Sequence, residues 1–329
     1  MAAAVALVDA ARRLADDVLA PAAEATDRAP VVPRSHLDAL AGAGLFELTA
    51  APRSATREIY EALAGACGVT FFVWVQHHAP VRMLVASANA GARDRWLDHL
   101  CSGRKLGGVA FAYLRRPGPP AVVATRVPGG YRIDGEAPWV TSWGLAGLYA
   151  VAARLDDRVV FFVMEAGAGG VRASAPLAMA AMNASSTVRL AFDGLVVPDD
   201  DVLSVSPFAD WQADDRAATA QPHPAPFGIA ARCVQLLGDT PLAGEVAELR
   251  ARAYALADGT DLAAQVEVRA ESLELAVRAA TALVVASGGR GMSLDHPAQR
   301  LLREAAFFTI QAQTPALRRA TLAQLRARS

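Results

Sequence analysis

Apolar residues recur at helical spacing through the first hundred positions. Val5, Val8, Leu14 and Val18 fall on one period, and Pro21 is expected to stop that helix. A second helix is predicted over Ser35–Ala43, with Ser35 as N-cap and Gly44 as its stop. A third covers Ala55–Cys67. The stretch Val69–Val85 is apolar on every side, which predicts a buried helix kinked or divided at Pro80. Arg93–Leu100 is a short helix ended by Ser102-Gly103.

From residue 104 to about 205 the period changes. Glycine and proline punctuate short runs rich in Val, Ile, Phe and Tyr. VVATRV, Pro-Gly-Gly and YRIDG read as a hairpin. LYAVAAR and VVFFVME are two further strands joined at Leu155-Asp156-Asp157, and STVRLAFDGLVVP adds another with a turn at Asp193-Gly194. From about 224 the helical period returns in Phe227–Leu237, Leu242–Leu256, a long helix to Ser287, Pro297–Phe308 and Pro315–Leu325. In the long helix Leu262, Val266, Leu273, Val277, Ala280 and Val284 form the expected buried stripe. The polar, proline-bearing Ser204–Pro226 reads as a linker. The fold class is therefore α+β: an N-terminal helical domain (1–103), a small central β-barrel or sandwich domain (104–205), and a linker with a C-terminal four-helix bundle (206–329).

Composition narrows the function. Of 329 residues, 53% are hydrophobic and 20% charged, against roughly 25% charged in an average globular chain, which excludes disorder. A net charge of −1 supplies no basic field, so no nucleic-acid partner is expected. Polar residues interrupt the apolar runs before the ~20 residues a spanning helix needs, so no membrane span is expected. The N-terminal stretch has its Arg pair, Arg12-Arg13, after the apolar run, the wrong order for a signal peptide. Cys67, Cys101 and Cys233 are too scattered for a disulfide framework or a zinc site, the histidines show no ligand spacing, and a cytoplasmic location follows as the expectation with no metal. His77 and His78 are the residues of Val69–Val85 that titrate near neutral pH, either as a candidate base or as satisfied core histidines. Glu304, beside Arg303, reads as half of a structural ion pair.

Four segments carry a family resemblance: Ala41–Leu48, Ala124–Gly144 (ATRVPGGYRIDGEAPWVTSWG), Ser186–Leu203 and Ala286–Phe308. In this order they resemble the acyl-CoA dehydrogenase family of flavoproteins along nearly the whole chain. The resemblance implies FAD, oxidation at a CH–CH group in lipid metabolism, an acyl-CoA or acyl-carrier thioester as substrate, an electron-transfer partner, and a homo- or hetero-oligomer. It places Trp139 against the isoalloxazine, with Thr141 and Ser142 beside it and a Thr141 donor near flavin N5. Backbone N–H groups from Phe111 through Tyr113 to Leu114 are placed at the pyrimidine edge, and Gly288, Gly289, Gln313 and Thr314 on the bundle side of the cofactor, although Gly288-Gly289 read equally as plain helix termination. Arg115 and Arg116 read either as a phosphate contact, as Arg forks make, or as a solvated surface pair.

The chain also departs from the family pattern. Leu114-Arg115 stand where the family has Thr-Glu, and the following Gly-Ser-Asp is missing. Arg252 lies in the helix of the family's Arg-x-Phe-Gly, whose remaining residues have no match. In Ile310–Pro315, Thr314 matches, but Ala312 occupies the position of the catalytic glutamate. Loss of such a base costs roughly 10²–10⁴-fold in rate. Three readings follow: an FAD-dependent oxidoreductase of acyl thioesters, a flavin monooxygenase-like enzyme needing no glutamate, and a non-catalytic partner subunit. FAD is expected between Trp139–Thr141 and Gly288–Thr314, and oligomerisation through the alanine-rich last helices.

Overall fold

The computed structural model describes residues 2–327. Its helical opening is one nearly continuous rod: α1 (Ala2–Leu14), a π-turn (Ala15–Leu19) and α2 (Ala20–Arg28). Pro21 therefore does not end the helix, as its sequence position suggested. It sits in the first turn of α2, where a missing N–H costs nothing, and the Ala20 N–H bonds five residues back to the Ala15 carbonyl. After α3 (Arg34–Gly42), Gly44 turns the chain at φ +73°, while Pro33, not Ser35, occupies the N-cap. Then follow α4 (Arg53–Ala66), α5 (Gly68–Ala86) and α6 (Ala90–Cys101), the last capped by the Asn89 side chain. Pro80 lies within an undivided α5 and packs over Gly107, where a side chain would meet the proline ring at 2.6 Å.

Eight strands form one sheet: β1 (Leu106–Ala110), β2 (Val122–Val127), β3 (Gly130–Val140), β4 (Ala146–Leu155), β5 (Arg158–Glu165), β6 (Val171–Ala173), β7 (Val188–Pro198) and β8 (Val202–Pro207). The order is β6-β7-β3-β2-β4-β5-β8. β1 and β2 both run parallel to β4, β1 along Ala146–Val151 and β2 at Arg154. β4 and β5 are buried almost residue by residue, because their continuous apolar runs are covered on both faces. β2 and β7 largely alternate buried with exposed positions. Asp193-Gly194 is not a chain reversal. It lies inside β7, where Gly194 takes φ +66° and the pairing with β3 shifts register between Ile133 and Gly135, so the pair is a bulge.

The stretch expected to be a linker is the end of β8 and a full helix, α7 (Phe208–Ala220). Beyond it come α8 (Pro224–Leu237), α9 (Leu242–Ala257), α10 (Leu262–Ser287), α11 (Pro297–Phe308) and α12 (Pro315–Ala327). α10 packs against α8, α9, α11 and α12 at once. Its burial consequently runs round most of the helix, and of the expected stripe only Leu273 and Ala280 are fully buried, with Leu262 exposed. By length and composition the stretch Leu262–Met292 could cross a membrane, which the sequence reading had discounted; its packing among four helices makes it the central core helix. α4 and α8 meet backbone to backbone. A Cβ on Gly228 would lie 2.2 Å from the Glu61 carbonyl, and one on Gly65 would lie 2.5 Å from the Gly228 carbonyl.

Candidate functional site

The end of β3 is built from strained backbone. Its register against β7 breaks between Ala137 and Val140, and within that irregularity Trp139 takes φ +60° and swings outward, 52% exposed. Three residues on, Ser142 is fully buried at φ +67°. A second segment faces it. Met182 and Ser186 also adopt left-handed φ, at 63° and 48°, and the Ser185 and Ser186 carbonyls accept from Ser142 N–H (2.8 Å) and Trp143 N–H (3.2 Å). Left-handed backbone at non-glycine residues costs on the order of 1–3 kcal/mol each and gathers at functional sites. Four such residues here occupy two facing segments.

Hydroxyls fill the space between these segments. Thr141 Oγ1 lies 3.3 Å from Thr187 Oγ1, which lies 2.8 Å from Ser185 Oγ, all three buried. The Tyr149 hydroxyl donates to the Ser142 carbonyl at 2.9 Å, and burial pushes its pKa well up, so it stays a donor. Ser142 Oγ is buried without a partner. Thr141 and Ser142 were legible from sequence. Ser185, Thr187 and Tyr149 were not, because their roles arise from the 182–187 segment folding back onto β3.

Phe111, Tyr113 and Leu114 belong to the same region. They open a short 3₁₀ turn (Ala112–Arg115) that packs against β3. Tyr113 is buried and its hydroxyl donates to the Ala152 carbonyl, while Leu114 is buried and Phe111 half-buried. Arg115 is neither free for phosphate nor half of a solvated pair. Its guanidinium is held by Asp215 of α7 through bonds of 2.7, 2.8 and 3.2 Å. Arg116 is exposed.

His77 is a structural clamp. Its Nε2 donates to the Phe46 carbonyl (3.1 Å), and its Nδ1 accepts from Gly107 N–H (2.9 Å), which fixes a neutral tautomer between the turn after α3 and β1. Burial lowers its pKa to about 4. His78 is also buried, among Tyr60 and Trp74, with Nε2 unpartnered. Burial, then His77 and Arg82, push its pKa far below the ordinary value. With both ring nitrogens engaged, His77 can take a proton only by giving up the Gly107 bond.

Glu304 is likewise committed, though to Arg300 and not to neighbouring Arg303. Arg300 Nη1 donates to its Oε2 (2.8 Å) and Gly68 N–H to its Oε1 (3.0 Å), with Arg300 and Glu304 each 1% exposed. Arg303 instead reaches Asp27 at 2.5 and 3.1 Å. Burial opposes the Arg300 charge, but Glu304, Cys67 and Glu24 outweigh it and hold the guanidinium protonated. Burial pushes Glu304 the other way, above the ordinary carboxylate range.

Ala312 takes φ +51° in the loop between α11 and α12. Beside it the Gln313 side chain is spent within the loop region, on the Thr309 carbonyl and Arg318, and Thr314 Oγ1 accepts from Leu317 N–H as the cap of α12. Gly288 (φ +58°) and Gly289 are exposed where α10 ends. The structure thus joins Phe111–Leu114 to the β3 end. Among the described residues no hydrogen bond or ion pair ties the β3 end to Gly288, Gly289, Gln313 or Thr314. Three His, Cys, Asp or Glu side chains arranged to hold a metal are not found among the described residues.

Comparison with known proteins gives this geometry a context. The sequence pattern of the acyl-CoA dehydrogenase N-terminal domain matches residues 2–104. Benzylmalonyl-CoA dehydrogenase of Aromatoleum aromaticum is 29% identical over 213 residues, 60% of this chain and 56% of that protein. A mitochondrial 2-methylacyl-CoA dehydrogenase of Solanum tuberosum is 25% identical over 299 residues, 78% of this chain and 71% of its own. The match to the first of these relatives therefore spans little more than half its length. Butyryl-CoA dehydrogenase from Megasphaera elsdenii shares the fold at a TM-score of 0.82 and 18% identity, covering 98% of this chain and 97% of that one. Dibenzothiophene monooxygenase from Paenibacillus sp. A11-2 shares it at 0.80 and 17%, covering 98% and 97%.

Proposed function

We propose that the chain is a member of the acyl-CoA dehydrogenase family, whose N-terminal domain pattern it matches over residues 2–104, and that it is an FAD-binding, acyl-CoA dehydrogenase-like protein whose ligand is an acyl thioester. The observation that carries the reading is the β3 end: an outward Trp139 ring on left-handed backbone, beside the buried and unpartnered Ser142 Oγ. A bare aromatic face and an orphaned buried hydroxyl fit a planar ligand with polar edge atoms. FAD, when bound, would supply the hydride acceptor. Trp139 then walls the ring and keeps water out, Thr141 presents a hydroxyl at its edge, and the turn at Phe111–Leu114 closes the same side. FAD titration followed by its visible spectrum tests this directly. Trp139→Ala is expected to weaken FAD binding roughly tenfold, the worth of an aromatic face beyond its buried area. Unchanged affinity would remove Trp139 from the site.

A second reading draws on the groups nearest to serving as a base. Ala312 has no titrating atom, Glu304 is tied to Arg300 and Gly68, and His77 has both nitrogens engaged. A chain so built suits a subunit that holds flavin or scaffolds an assembly while another chain takes the α-proton. Ala312→Glu separates the two. If the chain acts on its own thioester and lacks only the base, the carboxylate raises bleaching of bound flavin by acyl-CoA by roughly 10²-fold or more. If it is the partner subunit, the variant stays inert alone and the wild type gains activity only with a second chain. The left-handed backbone at residue 312 is already borne by an alanine, so the glutamate adds no new backbone strain there.

A further inference from the structure

The 182–187 segment, which bonds to the chain just after β3 through Ser142 and Trp143, is itself held in place from elsewhere. It is pinned from behind by α2 and α5, and its Ala184 carbonyl accepts from Val32 N–H at 2.8 Å. From this fixed base it presents Ser185 Oγ and Thr187 Oγ1 to Thr141. We propose that Ser185 and Thr187 are positioning residues for the Thr141 hydroxyl, forming a three-hydroxyl chain that turns Thr141 into a directed donor toward an acceptor atom on the bound ligand. The inference rests on the flavin reading above and deepens it.

Proton counting carries the argument. Each hydroxyl has one proton to give and two lone pairs to accept with. Thr187 lies between the other two, at 2.8 Å from Ser185 and 3.3 Å from Thr141, and its single proton serves one of them. If Ser185 donates to Thr187, Thr187 donates to Thr141, and the Thr141 proton is left over to point out of the protein. If the chain runs the other way, Thr141 spends its proton on Thr187 and faces the ligand only with lone pairs. Both directions are open in the free protein, since among the described residues these three side-chain oxygens bond only to one another. A ligand acceptor selects the outward direction, and each bond in the chain then polarises the next. An acceptor that gains electron density during reaction gains most from it, so the chain favours the reduced ligand over the oxidised one.

The test uses the full-length protein with FAD as probe. Thr187→Val keeps the shape and breaks the chain, Thr187→Ser restores the hydroxyl, and Ser185→Ala removes the first donor. Thr187→Val is expected to raise the FAD dissociation constant about 3- to 10-fold, the range of one net hydrogen bond. It is also expected to lower the midpoint potential of bound flavin by about 15–30 mV, the same factor in a two-electron couple. Thr187→Ser should return both to within twofold of wild type, and Ser185→Ala should move both in the same direction by less. A purely structural role would lower the melting temperature and leave the potential where it was, and that outcome overturns the proposal. Should Thr187→Val fail to fold, Ser185→Ala decides by the same two readings. A wild-type protein that takes up no flavin overturns the flavin reading and this one with it, whereas flavin uptake with an unmoved potential overturns this one alone.

Discussion

Glu304→Ala is expected to destabilise the protein by about 3–5 kcal/mol, enough to leave a marginally stable domain largely unfolded at 37 °C. The variant leaves Arg300 buried, with its remaining ion-pair partner, Glu24, on the far side at 3.1 Å, and strips the Gly68 N–H at the start of α5 of its acceptor. The pair also crosses the chain. Glu304 and Arg300 sit on α11, Gly68 opens α5 and Glu24 lies on α2, so one deletion loosens three helices. Any side chain at position 68 would strike the Glu304 carboxyl group at 2.6 Å, which makes Gly68→Ala a second route to the same loss. Urea unfolding of both variants measures it. A midpoint within 0.2 M of wild type, on the order of 0.5 kcal/mol at ordinary slopes, would show the pair to be dispensable.

Acid should unfold this protein earlier than its carboxylates alone would dictate. His77 is held neutral by burial, with its pKa lowered from 6.5 to about 4. The unfolded chain therefore takes up a proton as pH falls through 6.5 while the folded chain does not until about 4. Stability from this group is complete above pH 6.5 and is lost progressively down to pH 4, at about 1.4 kcal/mol per pH unit, or about 3 kcal/mol in all. His223, lowered to about 3 by burial and then by Arg269, acts in the same direction, as does His78. The urea midpoint should drop steeply between pH 7 and pH 5, and His77→Gln should flatten part of that slope while lowering stability at pH 7. A midpoint flat across pH 5–7 would mean that these histidines gain protons in the folded state as readily as in the unfolded one.

Periodicity along the chain determined where helices and strands lie, because burial of one face is written into residue spacing. The hairpin of β2 and β3, the glycine stop after α3 and the long α10 were all legible in this way. The family likeness singled out the Trp139–Ser142 segment, and the structure places left-handed backbone at both of its ends. What the spacing did not carry was how far local signals are overruled. Pro21 reads as a stop, yet a π-turn absorbs it; Asp193-Gly194 reads as a reversal, yet β3 pairs across it and makes it a bulge. The Ser204–Pro226 stretch reads as a linker, yet α7 forms there and supplies Asp215 to Arg115.

The site shows the same division. Residue types name candidates, but whether a group is free depends on partners brought from far along the chain. Thirty residues separate His77 from Gly107, and 236 separate Glu304 from Gly68, and these contacts make a candidate base and a buried carboxylate into fixed structural groups. The hydroxyls of Ser185 and Thr187 gain significance only because α2 and α5 press their segment against β3, 46 residues away in the Thr141–Thr187 pair. Sequence alone determined most of the elements and the family likeness, since these are local properties of residue type and spacing. Tertiary structure decided which polar groups are spent and which remain free, because hydrogen bonds saturate and only the folded chain assigns their partners.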